Sequence, residues 1–435
     1  MSEGHGRGGT AVPSGVPRSG MDADGPRAGA PVVIVGAGPV GLMLACELAA
    51  AGIATTVLER ALEPSAMPKG NGLVGGIVGV LSRRGLLRGQ KGLHVIPAPR
   101  YSFGGLPLRL NPLRRNALRI LPIPQRRLEQ LLETRARATG ADIRRGHAVT
   151  GFTDNGARVA VEVASAAGSY TLDAGFLAGC DGAHSFVRHR LDIAFPGTTG
   201  SQLVRIGHLT IPAGAARRTR NAVELAGGTR LALFQANHTA AGSLTVAPVS
   251  VLDRGAPNEL YIVATQEPLG TQEPAAQISL EEMEASIRRV LGARLPVSGG
   301  RWLRSTVANS RLAARYRIGR VFLAGDAAHV FSAGGSSLNT GMLDAVDLAS
   351  RLAAVLDGSE PLETLEDYHT VRHAAGEQAL LQTRAQAALS APGPEADALR
   401  QVLGGAFRSR NPHRYLGALL VGRPHGEGTR GRHGP

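Results

Sequence analysis

One segment near the start of the chain has the pattern of a strand, a tight glycine turn and a helix. Residues 32–35 are four β-branched apolar residues in succession, as expected of a strand buried on both faces. Gly36, Gly38 and Gly41 then give a Gly-x-Gly-x-x-Gly spacing at the start of an Ala/Leu-rich stretch that favours a helix. Gly36 allows the tight turn, Gly38 lets the backbone approach a pyrophosphate, and Gly41 lets the helix pack closely on the sheet. The segment therefore predicts a dinucleotide-binding unit.

The residues that follow complete this unit. Pro39 and Val40 begin the helix, whose unpaired N–H groups and partial positive charge favour phosphate groups. Residues 54–58 read as a second strand, and Glu59 with Arg60 ends it, 23 residues after the first glycine. A carboxylate at this distance suits hydrogen bonds from a ribose diol. The alternative is a chance glycine-rich turn with a surface glutamate, and the segment alone does not separate FAD from NAD.

Two more glycine-marked segments lie far downstream. Residues 179–185 read Gly-Cys-Asp-Gly-Ala-His-Ser, and residues 325–329 read Gly-Asp-Ala-Ala-His after a short apolar run. Residues 334–341 then add a glycine pair and the sequence Leu-Asn-Thr-Gly. Each segment alone is a weak signal, but their order and spacing predict an FAD site and a flavin-dependent oxidoreductase.

Length and composition exclude several classes of protein. The chain has 435 residues, enough for two or three domains, and no apolar run long enough to cross a membrane. We expect a cytoplasmic protein, a monomer or homodimer, with no metal site and with Cys46 and Cys180 as reduced, buried side chains. The net charge of +14 comes from scattered arginines, and aromatic residues are only 4% of the chain. We therefore expect no nucleic-acid partner.

The local patterns predict an α/β fold. We expect a Rossmann-like FAD-binding domain interleaved with an antiparallel β-sheet substrate domain, followed by C-terminal helices. The expected parts are a disordered leader (1–30), the first part of the FAD domain (31–199), the substrate sheet (200–300), the return of the FAD domain with long helices (301–390), and a last helix with a flexible tail (391–435).

Several helices have clear sequence signals. Apolar periodicity predicts helices over about 73–88 and 127–139, the latter after Pro124. Ser279 followed by Glu282 has the pattern of a capping box at the start of a helix over 279–291. A long helix is expected from Asn339 to about residue 357.

The three glycine segments resemble those of the class A flavoprotein monooxygenases, the p-hydroxybenzoate hydroxylase-like family, and especially its members that modify aromatic polyketides and antibiotics. The resemblance covers roughly residues 30 to 390 and is loosest over 200–300. It implies FAD as cofactor, with NAD(P)H and O2 as co-substrates. The cofactor-binding residues it implies are Gly36, Gly38, Pro39, Val40, Gly41, Glu59, Arg60, Lys69, Gln125, Asp181, Gly182, Gly325, Asp326, Gly335, Leu338 and Asn339.

The resemblance also assigns parts of the cofactor to individual residues. Asp181 is expected to serve both FAD and NAD(P)H, although Asp-Gly is also a common turn signal. Asp326 is expected at the ribityl and phosphate region, and the helix at Asn339 to point its N-terminus at the pyrimidine end of the isoalloxazine. We expect His184 and His329 to be structural rather than catalytic, since the sequence names no partner for either.

The sequence departs from the family pattern in one loop. Residues 332–337 lack the usual proline and place two serines where relatives have Gln-Gly. The resemblance implies hydroxylation of an apolar, polycyclic aromatic molecule, and no catalytic side chain is assigned. Two alternatives stay open: an FAD-dependent oxidoreductase of the same fold that does not hydroxylate, and a basic binding protein with a vestigial flavin fold. Lys69, expected near the phosphates, has the alternative of a solvated side chain.

Overall fold

The computed structural model describes residues 32–66, 72–98, 100–110, 118–225, 228–253, 255–270, 274–332, 336–409, 411 and 416. The expectations for residues 1–30, for the tail beyond residue 416, and for Lys69 and Gly335 lie outside these ranges.

Strands are spread along the whole described chain. In order they are β1 (Val32–Val35), β2 (Thr55–Glu59), β3 (Gly72–Val74), β4 (Ile96–Pro97), β5 (Arg100–Phe103), β6 (Leu106–Arg109), β7 (Arg119–Pro122), β8 (Asp142–Arg145), β9 (Ala148–Asp154), β10 (Val159–Ser165), β11 (Gly168–Ala174), β12 (Phe176–Gly179), β13 (Gly197–Thr210), β14 (Ala216–Arg218), β15 (Ala222–Leu225), β16 (Arg230–Ala232), β17 (Ala236–Thr239), β18 (Gly242–Pro248), β19 (Leu260–Pro268), β20 (Gly299–Leu312), β21 (Arg317–Ile318), β22 (Val321–Leu323) and β23 (His329–Val330). The α-helices are α1 (Pro39–Ala50), α2 (Gly76–Arg83), α3 (Gln125–Ala138), α4 (Phe186–Arg190), α5 (Leu280–Leu291), α6 (Ser336–Leu356), α7 (Glu366–Ser390) and α8 (Pro394–Arg408).

The first large sheet is parallel except at one edge and has the order β21-β22-β12-β1-β2-β8. Strand β1 is the apolar run of the first glycine segment, and its four residues are at most 8% exposed. Strands β22, β12, β1 and β2 are successive neighbours, and each runs directly into one of the predicted site segments. Since the carboxyl ends of parallel strands share one edge of a sheet, the fold brings the three distant glycine segments together there.

The second large sheet has the order β17-β18-β19-β13-β20-β23 and is antiparallel. Helix α5 covers one of its faces, where Leu209, Val246 and Val263 pack with Met283 and Ile287 into a separate buried cluster. The last strand of this sheet, β23, begins at His329, the last residue of the third glycine segment. The antiparallel sheet therefore shares a chain segment with the edge where the glycine segments meet.

A buried ionic cluster fastens α5 to the antiparallel sheet. Arg205, only 3% exposed, donates to Glu267 at 2.6 Å and pairs with Glu282 at 2.8 Å. Glu267 also accepts from Arg289 at 2.7 Å and from the hydroxyl of Ser286. Burial raises the pKa of the Glu267 carboxyl, but its bonds to Arg289 and Ser286 and the charge of Arg205 outweigh burial and hold the pKa below its usual value.

The predicted helix cap at Ser279 is confirmed. Its hydroxyl accepts a hydrogen bond from the Glu282 amide at 3.1 Å, and α5 ends in a left-handed Gly292. The Glu282 carboxylate pairs with Arg205 of β13 and so links α5 to the sheet. The helix predicted from Pro124 is confirmed as α3, and the C-terminal helices as α7 and α8.

Two helix starts were predicted wrongly. The helix expected over 73–88 begins only at Gly76, because residues 72–74 form β3 and pair with β7. Gly75, with φ of 82°, turns the chain between the two elements, a conformation favoured by glycine. The long helix expected from Asn339 begins three residues earlier, at Ser336. Within the described part of the chain, no helix is both long and apolar enough to cross a membrane.

Candidate active site

The first glycine turn is shaped by close backbone packing. Gly36 has φ of 104°, and a Cβ there would lie 2.6 Å from the Cys180 carbonyl oxygen. A Cβ on Gly41 would lie 2.0 Å from the carbonyl oxygen of Gly36. Gly38 differs: its backbone is extended, and no protein atom lies within 4 Å of its Cβ position. Gly36 and Gly41 are thus needed for packing, whereas Gly38 leaves open space beside the start of α1.

Glu59 is held rigidly at the end of β2. One carboxylate oxygen accepts from the Ala37 amide at 2.8 Å, inside the glycine turn, and the other accepts from the Ala61 amide at 2.9 Å. The carboxylate is therefore fixed between two loops at the carboxyl edge of the parallel sheet. Arg60, next to it, is exposed.

A cavity of about 400 Å³ opens between the first and second glycine segments. Gly36, Gly38, Glu59 and Arg60 line it from one side. The other residues that line it are Val35, Leu58, His147, Ala148, Val149, Cys180, Asp181, Gly182, His184 and Phe186. Residues 147–149 are on the chain that follows β8, next to β2, and sequence reasoning missed them because nothing in their types marks a site.

Asp181 lines this cavity and has one carboxylate oxygen without a hydrogen-bond partner among the described residues. Its Oδ2 accepts from the Val187 amide at 3.1 Å at the start of α4. Its Oδ1 is buried and has no hydrogen-bond partner among the described residues. A buried carboxylate oxygen without a donor is costly, so a ligand hydroxyl or amide there would satisfy it.

Arg188 was missed by sequence analysis and connects the second and third glycine segments. It is 2% exposed, donates to the carbonyl oxygens of Ala327 at 2.9 Å and Ala183 at 3.0 Å, and stacks over the Phe195 ring at 3.9 Å. Burial lowers the pKa of its guanidinium and the charge of Asp181 raises it, with burial the larger effect. Its position after the Asp-Gly turn is the one sequence signal that could have suggested this role.

The third segment forms a tight turn under the start of α6. Gly325 has φ of 66°, and a Cβ there would lie 2.8 Å from a methyl group of Val40 in α1. Asp326 is exposed, and its carboxylate accepts a hydrogen bond from the Ser337 hydroxyl at 2.6 Å. Ser337 is one of the two serines that depart from the family pattern, and here it ties the Asp326 carboxylate to the first turn of α6.

Asn339 and Gln125 have different surroundings. The side-chain oxygen of Asn339 accepts from the Val74 amide at 2.7 Å, which joins α6 to β3. Leu338 is half-buried against the main core. Gln125 donates to Glu129 at 2.8 Å within α3 and does not line the cavity, so its place near the flavin stays a prediction.

The arrangement fits FAD. Gly38 leaves room where a pyrophosphate would approach an uncapped helix N-terminus, and Glu59 faces the same cavity. The free oxygen of Asp181 adds an acceptor for a polar group. The described residues contain no cluster of side chains that could hold a metal ion.

Comparison with known proteins agrees with this geometry. The model of the FAD binding domain family matches residues 29–383. The chain belongs to this family. Its relatives include the 12-dehydrotetracycline 5-monooxygenase/anhydrotetracycline 6-monooxygenase of Streptomyces rimosus, 35% identical over 395 residues that cover 89% of this chain and 75% of the relative. The chain is thus an FAD-dependent monooxygenase of the aromatic polyketide and antibiotic branch predicted from its glycine segments.

Two solved structures resemble the fold of this monooxygenase closely. The Diels-Alderase PyrE3 of pyrroindomycin biosynthesis has a TM-score of 0.77 and 32% identity, covering 91% of this chain and 81% of its own. CabE, an aromatic hydroxylase from angucycline biosynthesis, has a TM-score of 0.76 and 30% identity, covering 91% and 76%.

The monooxygenase contains a second polar centre, next to the Gly325 turn. Asp344, which is completely buried, bonds to His329 at 2.6 Å and accepts from Arg372 at 2.7 Å. His329 is itself completely buried and stacks on Phe331 with ring centroids 4.8 Å apart. The partner of His329 that the sequence could not name is therefore Asp344, 15 residues downstream.

Both cysteines of the monooxygenase are free and buried. Burial raises the pKa of the Cys46 thiol to about 12 and raises that of Cys180 further. Neither thiol is therefore suited to act as a nucleophile at neutral pH.

Proposed function

We propose that this enzyme uses NAD(P)H and O2 to hydroxylate an apolar, aromatic, polyketide-like small molecule. The activities of the relatives are a guide to the substrate class, and one structural observation carries the proposal, the half-buried face of the antiparallel sheet opposite α5. We further propose that the glycine-segment residues, Glu59, Asp181 and Asp326 contact the cofactor.

The antiparallel sheet has two different faces. Along β13, Leu203, Arg205 and Leu209 are buried under α5, while the alternate residues Val204 and Ile206 are only half-buried. The pairing register places these half-buried side chains in rows with half-buried residues of the neighbouring strands. The residues that share this face near the sheet centre are Val204, Ile206, His208, Thr245, Ile262, Ala264, Gln266, Arg304 and Thr306.

This face suits an aromatic substrate. Its central residues on β13 and β19 are apolar, and His208 and Gln266 add polar groups at opposite ends of the patch. On the neighbouring strand β20, Arg304 lies opposite Ile206 and adds a positive charge. Burial lowers the pKa of His208, which favours a neutral ring that can donate one hydrogen bond and accept another. An apolar surface with a few polar groups is the usual character of a small-molecule site.

The protein's part in the reaction is binding, orientation and exclusion of water. Bound FAD would supply electron transfer from NAD(P)H and the activation of O2. Glu59 would orient the adenosine ribose, the start of α1 would bind the phosphates, and the first turn of α6 would present N–H groups to the isoalloxazine. The apolar sheet face would keep water away from the reacting ring.

The test is a screen of aromatic polyketides for stimulated NADPH oxidation, with mass spectrometry of the products. We expect at least one compound to speed NADPH oxidation and to gain one oxygen atom. Replacing Ala264→Phe, at the centre of the proposed face, should raise KM for that compound. Ala160→Phe is the matched control. Ala160 is also half-buried but lies on β10 of another sheet, so this change should leave KM unchanged.

Two outcomes would contradict the proposal. A product of unchanged mass would favour a synthase that does not hydroxylate, as the similarity to the Diels-Alderase PyrE3 suggests. Purified protein that neither contains nor binds FAD would favour the binding-protein alternative.

A further inference from the structure

A completely buried carboxylate, that of Asp344, lies about two helical turns after the start of α6. Asp344 accepts from the Gly325 amide at 3.2 Å and from Arg372 Nε at 2.7 Å, and it bonds to His329 Nε2 at 2.6 Å. Burial raises the pKa of this carboxyl, but the charges and hydrogen bonds of His329 and Arg372 outweigh burial and hold the pKa below its usual value. Asp344 is therefore ionised at neutral pH, with Arg372 from α7 as its cationic partner.

The same pair holds two parts of the proposed flavin site in place, the Gly325 turn and the first part of α6. Through its bond to the Gly325 amide, Asp344 fixes the turn that presents Asp326. Arg372 also donates to the carbonyl oxygen of Thr340 at 3.2 Å, in the first part of α6. The turn and the helix are in close contact, since a Cβ on Gly341 would lie 2.7 Å from the Gly325 Cα.

We propose that Asp344 and Arg372 act as an ion pair of positioning residues that controls how easily the bound flavin is reduced. The proposal rests on the placement of FAD given under the proposed function. Reduction of FAD by a hydride adds two electrons and one proton and leaves one negative charge on the isoalloxazine. A nearby positive charge favours this anion and a nearby negative charge opposes it.

The two members of the pair should therefore have opposite effects. Loss of the Asp344 charge leaves the positive charge of Arg372 near α6, and this should raise the reduction potential of FAD. Loss of the Arg372 charge leaves the buried negative charge of Asp344, and this should lower the potential. A purely structural role would shift the potential in one direction in both variants, or not at all.

The experiment measures the FAD reduction potential of the holoenzyme against reference dyes. We expect Asp344→Asn to raise the potential and Arg372→Met to lower it, while Arg372→Lys, which keeps the charge, stays near the native value. Arg351→Met is the control. Arg351 pairs with Asp347 at 2.9 Å further along α6, and its loss should move the potential less than the loss of Arg372.

FAD affinity, measured by flavin fluorescence, shows whether each variant still binds the cofactor, so that loss of binding is not confused with an unchanged potential. If Asp344→Asn does not fold, the comparison of Arg372→Met with Arg372→Lys still tests the sign, because Arg372 is partly accessible, with 12% of its side chain exposed. Equal potentials in these two variants, or a shift of Arg372→Met above the native value, would overturn the proposal. Failure of the flavin placement itself would be recognised differently, by a Gly38→Val variant that retains FAD.

Discussion

At the scale of single residues, the glycines of the first turn have different roles that their shared spacing hides. Gly36 and Gly41 lack side chains because backbone atoms occupy the Cβ positions, whereas the Cβ position of Gly38 is empty. Only Gly38 therefore relates to a ligand rather than to packing. The pattern Gly-x-Gly-x-x-Gly predicted all three positions, but the distinction between them needed the distances.

Gly38→Val should give a folded protein that does not hold FAD. The extended backbone of Gly38 accepts any side chain, and the new methyl groups would fill the space left for the pyrophosphate. We expect FAD affinity to fall by at least about tenfold, a loss of about 1.4 kcal/mol. Gly41→Ala is the contrasting variant, since its Cβ meets the Gly36 carbonyl and should impair folding itself. Flavin absorbance after purification and circular dichroism distinguish the two results.

Asp326→Ala should weaken FAD binding without unfolding the chain. The side chain is exposed and its carboxylate bonds to the Ser337 hydroxyl, so little packing depends on it. Loss of a charged hydrogen-bonding group to the ligand should cost about 1.5–3 kcal/mol of binding free energy. Titration with FAD measures the change, and Ser337→Ala, which removes only the orienting bond, should have a smaller effect. Equal affinity in the native protein and in Asp326→Ala would show that this carboxylate does not contact FAD.

At the scale of elements, the attachment of α5 to the antiparallel sheet depends on the buried carboxylate of Glu267. Glu267→Gln removes the charge that Arg205 and Arg289 face, and breaking one partner of a buried ion pair costs about 3–5 kcal/mol of stability. Glu224→Gln, in an exposed pair with Arg217, should cost no more than about 1 kcal/mol. The midpoint of urea unfolding measures both variants.

The same carboxylate predicts a pH dependence. Its folded pKa lies below the ordinary value, so its contribution to stability is present above the unfolded pKa of about 4.3 and is lost as pH falls through the lower folded pKa. The native protein should therefore lose stability on acidification in this window. Glu267→Gln should lose less over the same window, and parallel pH profiles for the two proteins would contradict this account.

Elements with consistent local signals could be predicted from the sequence, and elements that depend on distant partners could not. In the first strand, glycine turn and helix, the local sequence signals agree with the observed structure. Ser279 also marks the start of α5 correctly. The helix expected over 73–88 failed at its start because β7, almost 50 residues later, pairs with residues 72–74. Apolar periodicity within a short window contains no information about a pairing strand that is distant in sequence.

The candidate site shows the same limit. The glycine segments and Glu59 were found by their spacing, since each has a local reason for its residue type. Arg188, Asp344 and Arg372 were not found, because their roles arise from contacts with chain segments brought close only by the fold. Buried charged residues of this kind have no periodicity or motif of their own.

At the scale of the whole molecule, FAD should act as a connection between distant parts of the chain. The segments that meet at the carboxyl edge of the parallel sheet begin at Gly36, Gly179 and Gly325, so the ligand would join all of them. At a free concentration one hundred times Kd, FAD should add about 2.7 kcal/mol of stability. Calorimetry should show a higher Tm with added FAD for the native protein and no rise for Gly38→Val. A rise in that variant would mean that FAD stabilises the chain from another site.

Side chains along β13 and β19 alternate between the two faces of the antiparallel sheet. One face packs against α5 and contributes to stability, and the other points away from α5. Residues such as Ile206, Ile262 and Ala264 can therefore be exchanged with little effect on the cluster under α5 or on the strand register. Substitutions at these positions during the divergence of related enzymes would change the substrates they accept with little loss of stability. A combinatorial library confined to them should consequently yield mostly soluble, flavin-loaded variants that differ in the compounds the enzyme accepts.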